Sequence, residues 1–114
     1  MSESCIFCRI IRGELPSTML YQDQQAVAFK DIAPIAPVHI LIVPRQHLES
    51  AAETTAENAL LIGHLIRVAA HVAREQGIAE SGYRLVTNIG KDGGQEVFHL
   101  HWHLLGGRQM RGLG

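Results

Sequence analysis

The sequence predicts an α+β fold: a mostly antiparallel five-stranded sheet with one long helix and a short N-terminal helix. Three observations carry that expectation. Five short apolar stretches are separated by turn residues, one mid-chain stretch shifts to a helical period, and the turns joining the last strands are short.

Taken in order, Ile6 to Arg12 fits a short helix closed by Gly13, with Pro16 just beyond. TMLYQD and QAVAFKDI fit two strands joined by a polar turn at Asp23 and Gln24. DIAPIAP is a proline-punctuated connection to VHILIVP, a run rich in β-branched residues that fits a buried strand ending at Pro44. Thr54 and Glu57 have the spacing of a capping box, so a helix is expected from there to Gln76, stopped by Gly77. Glu57, His64, Arg67, His71 and Arg74 form its polar, solvated stripe. Leu60, Leu61, Ile62, Leu65, Ile66, Val68, Ala69, Val72 and Ala73 cover most of the rest. That arc is wider than one sheet contact needs, which predicts a second copy of the chain and hence a homodimer. YRLVTNI, the glycine-rich turn NIGKDGGQ and EVFHLHWHLLGG complete the sheet.

With 114 residues, 46% of them hydrophobic and 18% charged, the chain is expected to form a single domain over residues 1–114. A net charge of −1 argues against a general electrostatic grip on nucleic acid or anionic lipid. No stretch approaches the ~20 apolar residues of a membrane span. The N-terminal MSESCIFCRIIRGELP lacks the basic leader and long apolar core of a secretory signal, so a cytoplasmic protein is expected. There, two cysteines are thiols or metal ligands rather than a disulfide.

The chemistry concentrates in HLHWHLL, residues 99 to 105. Strand alternation would put His99, His101 and His103 on one face, roughly 6–7 Å apart, and Leu100, Trp102 and Leu104 on the other. A solvated strand face is one reading, but such faces usually carry Thr, Lys, Glu or Arg. A metal triplet is a second, although three positions along a line do not converge on one ion. Nucleophilic catalysis is the third. A neutral imidazole attacks near pH 7, a neighbouring histidine aids charge stabilisation, and the glycine turn offers N–H groups to phosphate oxygens.

The run His99-Leu100-His101-Trp102-His103-Leu104-Leu105 is similar to the signature of the histidine triad family. Phe29-Lys30-Asp31-Ile32, Pro37-Val38-His39-Ile40 and Asn88 through Gln95 also resemble family segments. Gly106-Gly107-Arg108-Gln109-Met110 resembles the Hint branch, the purine nucleoside phosphoramidases, more than the diadenosine polyphosphate hydrolases. The resemblance implies a hydrolase acting on purine nucleoside monophosphate derivatives, with His101 as nucleophile and His103 contacting phosphate and leaving group. It implies Phe29 and Ile32 as base-pocket walls, Asp31 as ribose acceptor and His39 as a supporting histidine. Asn88 and Gln95 would contact ribose or phosphate, with the amides from Gly94 to Val97 holding the phosphate. Glu96 departs from the animal pattern, where a serine often precedes the valine; its carboxylate would repel phosphate unless it points away or binds the leaving amine.

The resemblance also bears on Cys5-Ile6-Phe7-Cys8. A lone CxxC equally fits two half-buried thiols on a short helix. In zinc-bearing members, the segment matching Pro44-Arg45-Gln46-His47 supplies a third ligand, and His99 is the expected fourth. Zinc on Cys5, Cys8, His47 and His99 would be a closed structural site. Two alternatives stand beside the phosphoramidase. One is a dinucleoside polyphosphate hydrolase of the same mechanism, the other a nucleotide-binding or scaffolding module with vestigial activity.

Overall fold

The computed structural model describes residues 4–114; the first three residues of the N-terminal stretch read above lie outside the described part. The elements in chain order are α1 (Ile6–Ile11), β1 (Met19–Gln22), β2 (Ala26–Lys30), β3 (Val38–Pro44), α2 (Ala59–Glu75), β4 (Tyr83–Val86) and β5 (Trp102–Gly106). The five strands form one sheet in the order β1-β2-β3-β5-β4, and every neighbouring pair is antiparallel. This is the predicted α+β architecture. Among the described residues no helix is long and apolar enough to cross a membrane.

Alternation along the central strands divides the sheet into two faces. Ala26, Ala28, Ile40, Ile42 and Leu104 point to α2 and meet Leu65, Val68, Ala69, Val72 and Ala73. Small side chains on both partners let the helix lie close to the strands. Val27, Phe29, Leu41 and Val43 point the other way, where Phe7 of α1 covers them. A six-residue helix cannot roof a whole sheet face, so part of that face stays open. His39 on β3 and His103 on β5 lie on this open side, in a register that pairs Leu41 with His103 and His39 with Leu105.

The long helix starts later than its capping-box spacing predicts. Ala51–Glu53 form a 3-10 turn capped by Ser50, whose Oγ accepts from Ala52 N–H at 3.1 Å. Thr54 closes that turn by donating its hydroxyl to Ala51 O, so it cannot cap α2. The N-cap is Asn58, whose side chain faces back to Thr55 N–H and the Glu53 carbonyl. At the other end Gly77, at φ 76°, supports the stop, and Ile78 N–H reaches Ala73 O. The polar stripe is not simply solvated: Glu57 precedes the helix, and His64 Nε2 lies 2.7 Å from Asp23 Oδ2 in the β1–β2 turn. Tyr21 O–H donates to the same oxygen at 2.8 Å.

The last strand is shorter than EVFHLHWHLLGG suggests. Beyond Trp102 its ladder would continue towards Pro44, which has no N–H, and whose carbonyl is 2.8 Å from His99 Nε2. Leu100 N–H bonds Leu48 O instead. Only His103 is therefore a strand residue, yet alternation persists, with Leu100, Trp102 and Leu104 in or against the helix-side core. Leu65 is fully buried in that core. Leu65→Ala is expected to cost about 2–5 kcal/mol, read as a lowered urea midpoint with unchanged slope; a loss below about 1 kcal/mol would show that the helix–sheet contact collapses around the gap.

Candidate active site

A cleft of about 860 Å³ opens on the side of the sheet that α1 covers incompletely. It is lined by Phe29, Asp31, Ile32, His39, Asn88, Gly94, Glu96, Val97, His101 and His103, all expected at a binding site from the sequence. Gln95 is the exception. It is buried, its Oε1 accepts from Gly90 N–H at 2.8 Å, and its Nε2 donates to Glu49 O (2.6 Å) and Val97 O (3.1 Å). Its amide is committed to holding the loop. The two expected base-pocket walls differ sharply, Phe29 being 3% exposed and Ile32 95%.

Several lining residues were not anticipated. Ile6, Phe7 and Ile10 form an apolar wall from α1, and Arg84 reaches the cleft from β4. The helical spacing of Ile6 and Ile10 was a legible signal; that this small helix would face a binding cleft was not.

Hydrogen-bond partners fix the proton position on each imidazole of the cleft. His101 Nδ1 lies 2.7 Å from the His99 carbonyl, so Nδ1 carries the proton and donates it. Its Nε2 keeps a lone pair, has no partner among the described residues, and belongs to a ring that lines the cleft. Ile35 N–H donates to His39 Nδ1 at 3.2 Å, leaving the His39 proton on Nε2. That nitrogen is 2.9 Å from His103 Nδ1 and 3.4 Å from Asp31 Oδ2. His103 Nδ1 is therefore an acceptor, and its own proton sits on Nε2. The cleft thus holds one imidazole with a free lone pair and another with a free N–H, their ring centroids 4.9 Å apart.

His99 faces elsewhere. It is completely buried, and its Nε2–H donates to Pro44 O at 2.8 Å, which turns the Nδ1 lone pair towards Cys5 Sγ (3.4 Å), Cys8 Sγ (3.5 Å) and His47 Nδ1 (3.1 Å). Cys8 Sγ is 3.4 Å from His47 Nδ1. All four donor atoms lie within 4.8 Å of one another, an arrangement that can hold a metal ion. A tetrahedral ion with zinc-like bond lengths sets its ligand atoms about 3.3–3.8 Å apart, close to these separations. Asp31, His39 and His103 form a second close group, but there two ring nitrogens face each other with a proton between them.

Burial keeps these rings neutral. Desolvation first, then the neighbouring His101 and His39, push the His103 pKa down from 6.5 to about 4. Desolvation lowers those of His39 and His101 as well, against an opposing pull from Asp31. Because His103 takes up its proton more readily in the unfolded chain, its contribution is complete above 6.5 and shrinks as pH falls from 6.5 towards 4. The urea midpoint is expected to fall across that window. A His103→Asn variant that falls just as steeply would assign the loss to other groups.

Comparison with known proteins follows the same lines. The HIT domain model matches residues 12–110. The chain is 50% identical over 110 residues to the purine nucleoside phosphoramidase of Escherichia coli (strain K12), covering 96% of this chain and 92% of that protein. Among solved structures, the HIT family hydrolase from Clostridium thermocellum superposes with a TM-score of 0.94 at 50% identity, over 97% of this chain and 96% of that one. A histidine triad protein from Clostridium difficile also gives 0.94, at 41% identity, over 98% and 97% of the two chains. The chain belongs to the HIT domain family.

Proposed function

We propose that this protein is a hydrolase of purine nucleoside phosphoramidates, the activity named for its Escherichia coli relative. The observation that supports this best is the His101 ring, held by the His99 carbonyl so that its Nε2 lone pair is free at the cleft. In this reading Nε2 attacks the α-phosphorus, the P–N bond breaks, and the amine departs. His103 Nε2–H donates to the phosphate oxygens or leaving nitrogen, offsetting charge that builds as the bond breaks. Water then attacks the nucleotidyl-histidine, returning His101 and releasing the nucleoside monophosphate. Asp31 is assigned to the ribose hydroxyls, Phe29 and Ile32 to the base, and Asn88 with the Gly94–Val97 backbone to the phosphate. Gln95 is assigned to shaping that loop.

We assign zinc to Cys5, Cys8, His47 and His99, where two thiols and two imidazoles converge with the His99 tautomer already fixed by Pro44. Such a closed site supplies structural cross-linking and no open position for substrate. We further propose a homodimer in the cytoplasm. Leu60 (91% exposed) and Ile66 (46%) leave apolar surface on α2, and neither cysteine is in a disulfide among the described residues.

Incubation of the purified protein with an adenosine phosphoramidate and with a dinucleoside polyphosphate tests the activity. Faster turnover of the phosphoramidate is expected; tight AMP binding without turnover of either would leave only a binding module. His101→Ala should lower kcat at least about 10³-fold with AMP affinity little changed, and retained turnover would remove His101 from the covalent step. Metal analysis should give close to one zinc per chain, lost together with thermal stability in Cys8→Ser. Metal-free protein of undiminished stability would refute the zinc assignment. Sedimentation should give twice the chain mass.

A further inference from the structure

Glu96 is the cleft carboxylate that the assigned chemistry leaves without a role, Asp31, the other one, being assigned to the ribose. It is exposed, lines the cleft between buried Gln95 and cleft-lining Val97, and makes no hydrogen bond or ion pair among the described residues. Nor does it float on a loose loop. The three hydrogen bonds of Gln95 to Gly90 N–H, Glu49 O and Val97 O clamp the backbone on either side of it. Lys30 and Arg84 also line the cleft, yet neither makes an ion pair with Glu96, so no contact within the described residues accounts for its carboxylate.

A carboxylate held near a bound phosphate is repulsive unless a cation lies between or beside them. In a nucleoside phosphoramidate the base and ribose are neutral and the phosphate is anionic. The leaving amine is the one part of such a substrate that can carry a positive charge. We propose that Glu96 is a specificity residue for the leaving group, favouring phosphoramidates whose amine bears a second, cationic group and disfavouring those whose amine bears a carboxylate. The inference rests on the phosphoramidase reading and adds a substrate class to it.

The test uses three adenosine phosphoramidates of matched length, formed from butylamine, from one nitrogen of putrescine, and from γ-aminobutyrate. For the wild-type protein kcat/KM is expected to fall in the order putrescine, butylamine, γ-aminobutyrate, by roughly two- to fivefold per step, as for solvent-exposed charge pairs. Added salt should compress the series. Glu96→Gln should bring the putrescine-to-butylamine ratio close to one, and Glu96→Lys should reverse the order of the two charged substrates. A wild-type ratio near one, or a preference that survives both substitutions, overturns the role of Glu96 while leaving the phosphoramidase reading standing. Failure of the wild type to hydrolyse any of the three overturns that reading, and this inference with it.

Discussion

The site depends on the double anchoring of His99. Its side chain donates to the carbonyl that ends β3, and its own carbonyl accepts from the ring of His101. One fully buried residue therefore ties the sheet, the CxxC helix and the proposed nucleophile into a single unit. The ring that turns its Nδ1 to two thiols and His47 also fixes the backbone on which His101 hangs. A metal held there would stiffen the same segment from its far side, which links a structural centre to a chemical one without any shared ligand.

The two faces of the sheet explain why there is a cleft to use. The α2 side is closed by five buried helix residues set against small and branched strand residues, close to interior packing. The opposite side is covered by the six residues of α1 with Cys5, Met19 and Val97 beside them, and the apolar wall of that helix becomes a wall of the cleft. Polar groups of β3 and β5 emerge where the cover ends. They are largely sheltered from water, His39 buried and His103 partly so, which is the condition that lowers imidazole pKa values.

How much of this was legible in the sequence differs by level. Strand and helix order followed from periodicity, because burial on one face imposes period two or 3.6 whatever the tertiary detail. Thr54 was misread because Ser50 and the 3-10 turn compete for the same backbone groups, a local contest that spacing alone cannot decide. The last strand was overextended because the ladder stops at a distant proline, a fact of pairing and not of local composition. The histidines were legible as residue types, and their alternation survived the loss of regular strand. Their separate orientations were not, since each is set by a particular partner, some remote in sequence (Pro44 for His99, His39 for His103) and some local but not foreseeable from spacing (the His99 carbonyl for His101, Ile35 N–H for His39). The same holds for Gln95, whose amide could serve a ligand or the loop until its partners are known.

Such partners give identical side chains different chemistry. His101 and His103 stand two residues apart, are both buried enough to stay neutral, and line the same cleft. A carbonyl facing Nδ1 leaves one ring a lone pair at Nε2; an imidazole N–H facing Nδ1 leaves the other a proton there. The proposed nucleophile and proton donor are thus distinguished by the hydrogen bond that each ring makes at Nδ1. A backbone carbonyl stands directly behind the first assignment, at His99; the second is relayed from Ile35 N–H through the ring of His39, so replacing that side chain would remove it. The proposed division of labour therefore depends on the backbone at His99 and on one relay side chain, His39, while Glu96, which lines the cleft without such a partner among the described residues, is the residue proposed to select the leaving group.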